Sequence, residues 1–353
     1  MKRQKSEVRG RRSGPVVGAS HRVRCVLLAL CCFIAPLPAP AQDAKQRTSV
    51  ARLTPEVKKA ITRGLEYLAK TQLEDGSFGT GNKPGGTALA LMSFMLQGHV
   101  PGEGKYGKTM AKAIDFLISV EKKGYIHDGS SRGMYEHGLA VLALSEAWGQ
   151  SQDPRIRETL MRAVNCTLNA QNHEGGWRYG PEPTSADLSC AAMQMVALAS
   201  ARESGIAVPE KAIQRAVDYA VSCEVRTTGG FSYQTLAGAP MGGAGFARTA
   251  AGTLSLMLCG ARNHPATRGG AAYVYSQPDA VYQNTGNYGY AHYYAAQAMY
   301  QAGDKYFNRY YAKISKALLE KQGENGDWGG AVNTGFSILT LGVPYRFLPI
   351  YQK

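Results

Sequence analysis

Four ionisable residues stand where polar groups are scarce: Glu136 and His137 in Tyr135-Glu136-His137, Asp187 in Asp187-Leu188-Ser189, and His292 in Tyr288-Gly289-Tyr290-Ala291-His292-Tyr293-Tyr294. Each opens a long apolar stretch, and a buried polar group must find a partner. If the four converge, they can do general acid–base chemistry or hold a metal ion. If they do not, carboxylates at helix starts cap the helix, and the histidines hydrogen-bond within the core. The rings of Tyr135, Tyr290, Tyr293 and Tyr294 can stabilise a cation or stack on sugars. Arg248 can hold an anion, or pair with Asp187. These residues are the candidate catalytic set (Asp187, His137, Glu136, His292) and the candidate ligand-binding set (Tyr135, Arg248, Tyr290, Tyr293, Tyr294). No C-x-x-C pair or Cys/His cluster marks a metal site, and no cofactor is legible.

The elements that must position them recur six times. A basic residue, a small residue (Ile314 in the last copy), an apolar patch and a Gln or Glu nine places on appear from Arg63, Lys112, Arg162, Arg215, Arg268 and Lys313. In three copies the frame runs on as Q-x3-G-x-W/F: Gln72, Gly76, Phe78; Gln171, Gly175, Trp177; Gln322, Gly326, Trp328. The first part of each repeat is an amphipathic helix, with Val57, Ile61, Leu65 and Leu68 at helical spacing and Thr54-Pro55 as its start. The Gly permits the left-handed turn that ends it. A second helix follows, apolar nearly all round and rich in Ala and Gly, as in Thr87–Met92 and Cys190–Leu198. Such helices are buried on most sides, so the charged first helices lie outside. β signals are weak throughout. An open solenoid needs polar caps, but the last segment carries Val343, Tyr345, Phe347, Leu348 and Ile350, which suits closure against the first repeat. The fold expected is all-α, an (α/α)6 toroid over residues 54–352.

The Q-x3-G-x-W motif in this frame resembles that of the prenyltransferase and squalene-cyclase repeat family, over roughly residues 55–352. The resemblance implies an α/α toroid with a cavity at the inner-helix N-termini, and activity of the terpene cyclase or prenyltransferase kind. Their key residues are absent. The ten aspartates never lie within ten residues of each other, so D-x-D-D and D-D-x-x-D are missing. Asp187-x-Ser189 replaces the D-x-C of the zinc-dependent prenyltransferases, and no Cys has the G-C-G-E-Q setting of thioester domains.

Residues 1–41 read as a secretory signal peptide: a basic start, an apolar run from Cys25 to Ala35 broken by Pro36 and Pro38, and Ala39-Pro40-Ala41 before Gln42. Residues 42–53 form a short linker. Export to the periplasm or medium is expected, with no transmembrane segment in the mature chain. The signal segment holds eight Lys/Arg and one Glu, leaving 32 basic against 25 acidic residues, net +7. This charge is scattered, which argues against nucleic-acid binding. Three functional readings follow. The first is an exported toroid holding an apolar small molecule or lipid, terpenoid or polyprenyl-like. The second is a non-catalytic scaffold for protein or polysaccharide. The third is a glycan-cleaving toroid. A wide apolar cavity, a filled centre, and a groove lined by Arg248, His292 and tyrosines would favour them in that order. Two echoing segments, Trp177-Arg178-Tyr179 and Phe231-Ser232-Tyr233, are expected at one rim, and the loop from Leu236 to Gly245 is a candidate lid.

Overall fold

The computed structural model describes residues 53–345 and 348–351. The expected signal peptide and nearly all of the linker lie outside them. Thirteen helices are described: α1 (Pro55–Thr71), α2 (Lys83–Met95), α3 (Gly107–Ser119), α4 (Gly133–Ser151), α5 (Pro154–Asn169), α6 (Leu188–Glu203), α7 (Glu210–Ser222), α8 (Phe246–Leu258), α9 (Pro265–Tyr275), the single-turn α10 (Ala280–Gln283), α11 (Tyr288–Ala302), α12 (Asp304–Lys321) and α13 (Ala331–Leu341). None is long and apolar enough to cross a membrane.

The apolar helices form a closed inner ring. α2 packs on α4, α4 on α6, α6 on α8, α8 on α11, α11 on α13, and α13 back on α2. In α2 every residue from Pro84 to Met95 is buried, whereas α1 buries only the stripe Val57, Ala60, Ile61, Gly64, Leu65 and Leu68. The amphipathic helices α1, α3, α5, α7, α9 and α12 surround that ring, as the patterning requires. The architecture is therefore an (α/α)6 toroid. Small residues set how closely the inner helices approach: a Cβ on Gly335 of α13 would lie 2.7 Å from the Cβ of Leu89 in α2.

The repeated motif is the joint between neighbouring repeats. Gln72 donates its amide hydrogens to the carbonyls of Gly76 (3.0 Å) and Thr109 (2.8 Å). Gln171 bonds Gly175 (2.9 Å) and Ala212 (3.0 Å), and Gln322 bonds Gly326 and Ala60, both at 2.8 Å. Each glutamine thus fastens its own turn to the first turn or two of the next outer helix, and Gln322 does so across the closure. The basic residue of the frame answers from the other side. The Arg63 guanidinium bonds Gln322 (3.3 Å) and the Gly323 carbonyl (3.0 Å), and Arg215 bonds the Asn172 carbonyl. Trp177 and Trp328 donate their indole N–H to the carbonyls of Thr167 and Leu318 in the preceding outer helix. Gln171 is buried, so Gln171→Ala should lower stability by about 2–3 kcal/mol in urea unfolding, because two buried carbonyls lose their donor. The same change at half-buried Gln322 should cost less, since water can replace the amide.

Two differences from the sequence reading concern the periphery. Among the described residues there are three two-stranded antiparallel hairpins: β1 (Glu121–Lys122) with β2 (Tyr125–Ile126), β3 (Glu224–Val225) with β4 (Gly230–Phe231), and β5 (Gln234–Leu236) with β6 (Ala239–Met241). Strands of two or three residues are too short to show alternation, so they leave no pattern to read. The C-terminal segment also reaches further than the first repeat. Tyr345 meets Gln97 at 3.3 Å there, but residues 349–351 continue to α6. Leu348 and Ile350 are buried at that end.

The Glu146 carboxylate receives the Ser200 hydroxyl (2.7 Å) at one oxygen, and its other oxygen has no partner among the described residues. Burial pushes its pKa from an ordinary 4.5 up to about 7, against the hydrogen bond from Ser200. A carboxyl with a raised folded-state pKa favours the fold when protonated, and that contribution is lost as pH rises from about 4.5 through 7. Glu146→Gln should therefore match wild type near pH 4 and exceed it by on the order of 3 kcal/mol above pH 8 in thermal unfolding.

Candidate functional site

All six inner helices send their first turns to one end of the ring, where they enclose a cavity of about 570 Å³. α2 contributes Asn82 and Leu89, and α4 contributes Arg132, Tyr135 and Leu139. Ser189 comes from α6, and Ala247 and Arg248 from α8. α11 supplies Asn287, Tyr288, Gly289 and Tyr290, and α13 supplies Val332, Asn333 and Phe336. Tyr179 and Tyr233, from the loops before α6 and α8, complete the wall. The lining is thus mostly phenol rings, amides and two guanidinium groups, with a few aliphatic side chains and no carboxylate.

Tyr135 and Tyr290 meet edge to face with ring centroids 6.3 Å apart, and Tyr135 lies 6.0 Å from Tyr179. Burial raises the phenol pKa of Tyr135, Tyr290 and Tyr233 well above the ordinary value, so these hydroxyls stay protonated at neutral pH. The Tyr179 and Tyr233 hydroxyls bond each other. The Arg178 guanidinium lies over both rings, at 4.5 and 5.5 Å from their centroids, and also reaches the Tyr233 hydroxyl at 3.4 Å. Arg178 is fixed by Asp187 at 3.1 Å. Arg248 folds back on the chain, donating Nε–H to the Phe231 carbonyl (3.1 Å) and Nη2 to the Gly243 carbonyl (2.8 Å). It thereby ties down the loop holding the β5–β6 hairpin, whose Leu236 and Met241 are exposed at the rim.

Of the residues singled out from sequence, Tyr135, Arg248 and Tyr290 line the cavity. Tyr293 and Tyr294 are fully buried one layer behind it, against Phe336 and Tyr290 respectively. The four acid–base candidates do not line it, and each is occupied by its own surroundings. His137 accepts the Ile126 N–H at Nδ1 (3.2 Å) and donates from Nε2 to Thr167 Oγ1 (2.9 Å). It takes the place held in other repeats by Thr87, Thr249 and Thr334, which accept the N–H of Phe78, Phe231 and Trp328. His292 sits between the Tyr310 hydroxyl (2.6 Å) and the Val281 carbonyl (3.1 Å). Burial lowers both histidines to about 4, so both are neutral. Glu136 receives the Asp128 N–H (3.1 Å) and the Ser130 hydroxyl, holding the loop before α4 rather than capping the helix. Asp187 does cap its helix, through Cys190 N–H at 2.9 Å, and its cationic partner is Arg178 rather than Arg248.

Sequence reasoning expected Asn333 at an inner-helix start and the segments of Tyr179 and Tyr233 at one rim, but it did not single out those tyrosines, Arg132, Asn82 or Asn287 as lining residues. The signal for the two tyrosines was present: each stands two places after the motif aromatic, Trp177 or Phe231. Among the described residues, cysteines 166, 190, 223 and 259 form no disulfide. Burial raises Cys166 to about 11 and Cys223 to about 12, so neither is a reactive thiolate.

No family model matches the sequence, and no curated protein sequence is similar to it. Solved structures do match. An inactive variant of the alpha-1,6-mannanase GH76A of Salegentibacter sp. HEL1_6, in complex with alpha-1,6-mannotriose, superposes with TM-score 0.62 at 9% identity, over 82% of this chain and 99% of that one. The GH76 alpha-mannanase BT2949 of Bacteroides thetaiotaomicron gives 0.58 at 11% identity, over 81% and 94%. Cellobiose 2-epimerase from Spirochaeta thermophila gives 0.59 at 13% identity, over 84% and 98%. The likeness is one of fold. The identities are too low to carry residues or activity across.

Proposed function

We propose that the chain binds a glycan in the cavity at the inner-helix N-termini and cleaves it there. The observation that carries this reading is the lining itself: Arg248 with five tyrosines and three asparagines around an open centre. Sugars are bound by rings that stack on their apolar faces and by amides that meet their hydroxyls. The mannanases and epimerase of the same fold act on carbohydrate by name, which supports the same choice. An apolar terpenoid or polyprenyl ligand fits the lining less well, because it would bury guanidinium and amide groups without partners. A pure scaffold does not explain an open centre.

Hydrolysis by a pair of carboxyl groups flanking the scissile bond is not built here, since no Asp or Glu lines the cavity. The proton handling falls instead to the hydroxyl pair of Tyr179 and Tyr233. In the hydrolysis the bond from the anomeric carbon to the leaving oxygen breaks as a water oxygen bonds that carbon; the water's proton passes to Tyr179 and, through the hydroxyl pair, Tyr233 gives its own to the leaving oxygen, so both phenols end protonated. Asp187 acts at one remove, by positioning Arg178 against both rings. The test is to incubate the purified chain with a panel of neutral and acidic polysaccharides and follow new chain ends and product length. Depolymerisation that disappears in Tyr290→Ala supports the reading. No cleavage or binding of any panel member, with a polyprenyl lipid found in the native mass, would replace it by the apolar one.

A further inference from the structure

We infer that the glycan carries an anionic substituent, a carboxylate or a sulfate ester, seated at Arg132 and Arg248. This rests on the glycan reading of the cavity and names the class of glycan it takes.

Both arginines line the cavity, and no Asp or Glu does. Neither has an ion-pair partner among the described residues. Arg132 lies 5.9 Å over the Tyr179 ring, and Arg248 is held only by two neutral carbonyls. Arg155, Arg162, Arg178 and Arg202 each face a carboxylate, while Arg63 and Arg215 at the repeat joints bond only neutral oxygens; what sets Arg132 and Arg248 apart is that both line one cavity that no Asp or Glu lines. Arg132 is exposed and Arg248 half-buried, so water solvates both in the free protein, and together they offer a ligand two positive charges at one cavity. Their planar forks match the paired oxygens of a carboxylate or sulfate. The helix ends add to the same sign. α2, α8, α11 and α13 begin at the cavity with no side-chain cap and no acidic residue in the first turn, whereas α4 carries Glu136 there and α6 is capped by Asp187. A neutral sugar would be served by the asparagines and tyrosines and would leave both charges unused.

The test is calorimetric titration of the purified chain with four oligosaccharide probes of matched length: an oligogalacturonate, a sulfated carrageenan oligomer, a mannan oligomer and a cellulose oligomer. The expected result is that at least one anionic probe binds about tenfold or more tightly than either neutral probe, the gap closing at high salt. Which anionic probe binds distinguishes carboxylate from sulfate. Arg132→Gln, at an exposed position outside the core, should narrow the gap by about tenfold. Neutral probes binding as tightly as anionic ones, with that binding lost in Tyr290→Ala, would overturn the anionic inference while the glycan reading stands. Binding of no probe at all would overturn both.

Discussion

Tyr233→Phe is expected to slow glycan cleavage about 100- to 1000-fold while leaving affinity within about threefold. The substitution keeps the ring under Arg178 and at the cavity wall, so stacking persists. It removes the hydroxyl that bonds Tyr179 and receives Arg178 at 3.4 Å. The loss should fall on the chemical step: initial rates drop, the calorimetric Kd stays, and the unfolding temperature stays. Because burial raises the Tyr233 pKa, the wild-type hydroxyl keeps its proton between pH 6 and 9, and this donor should impose no alkaline fall over that range. A rate unchanged by Tyr233→Phe would remove the tyrosine pair from the chemistry.

Gly175→Ala should have the largest effect on stability, about 3–5 kcal/mol, read as a lower urea midpoint. Gly175 ends α5's repeat with φ +95°, a conformation that L side chains rarely adopt. An added Cβ would sit 2.1 Å from the Arg215 carbonyl oxygen and 2.6 Å from its carbon, backbone atoms that cannot step aside. Strain and collision therefore add, at the joint that Gln171 fastens. Gly149→Ala is the contrasting case. It lies in α4 with nothing near its missing Cβ, and it should raise stability by about 0.5–1 kcal/mol through helix propensity. Equal effects at the two positions would mean that the glycine of the motif is not a packing joint.

The toroid was legible because its determinants are local and repeated. The stripe of Val57, Ile61, Leu65 and Leu68 and the all-apolar Thr87–Met92 assign outside and inside without any knowledge of contacts. The Q-x3-G-x-W motif was legible as a helix end. Its second role was not, since Gln171 reaching Ala212 and Gly175 lying under Arg215 are contacts between repeats. The resemblance it carried pointed to the fold and to a cavity at the inner-helix starts, but its terpenoid chemistry finds no support in the lining. The site was half legible. Of the residues expected at helix starts, Tyr135, Tyr290 and Arg248 line the cavity. His137, His292 and Glu136 do not, and sequence cannot tell which way a helix's first two turns face. His137 turns outward to Thr167, doing the work of a threonine. Tyr179 and Tyr233 come from loops, where no periodicity fixes direction.

The most direct test of the proposed glycan site is a crystal structure of the chain with the best-bound oligosaccharide. The account predicts sugar rings against Tyr135 and Tyr290, with an anionic group at Arg132 or Arg248 and a glycosidic oxygen within hydrogen-bond reach of Tyr233. Sugar bound only on the outer helices, or a lipid filling the cavity in its place, would contradict it.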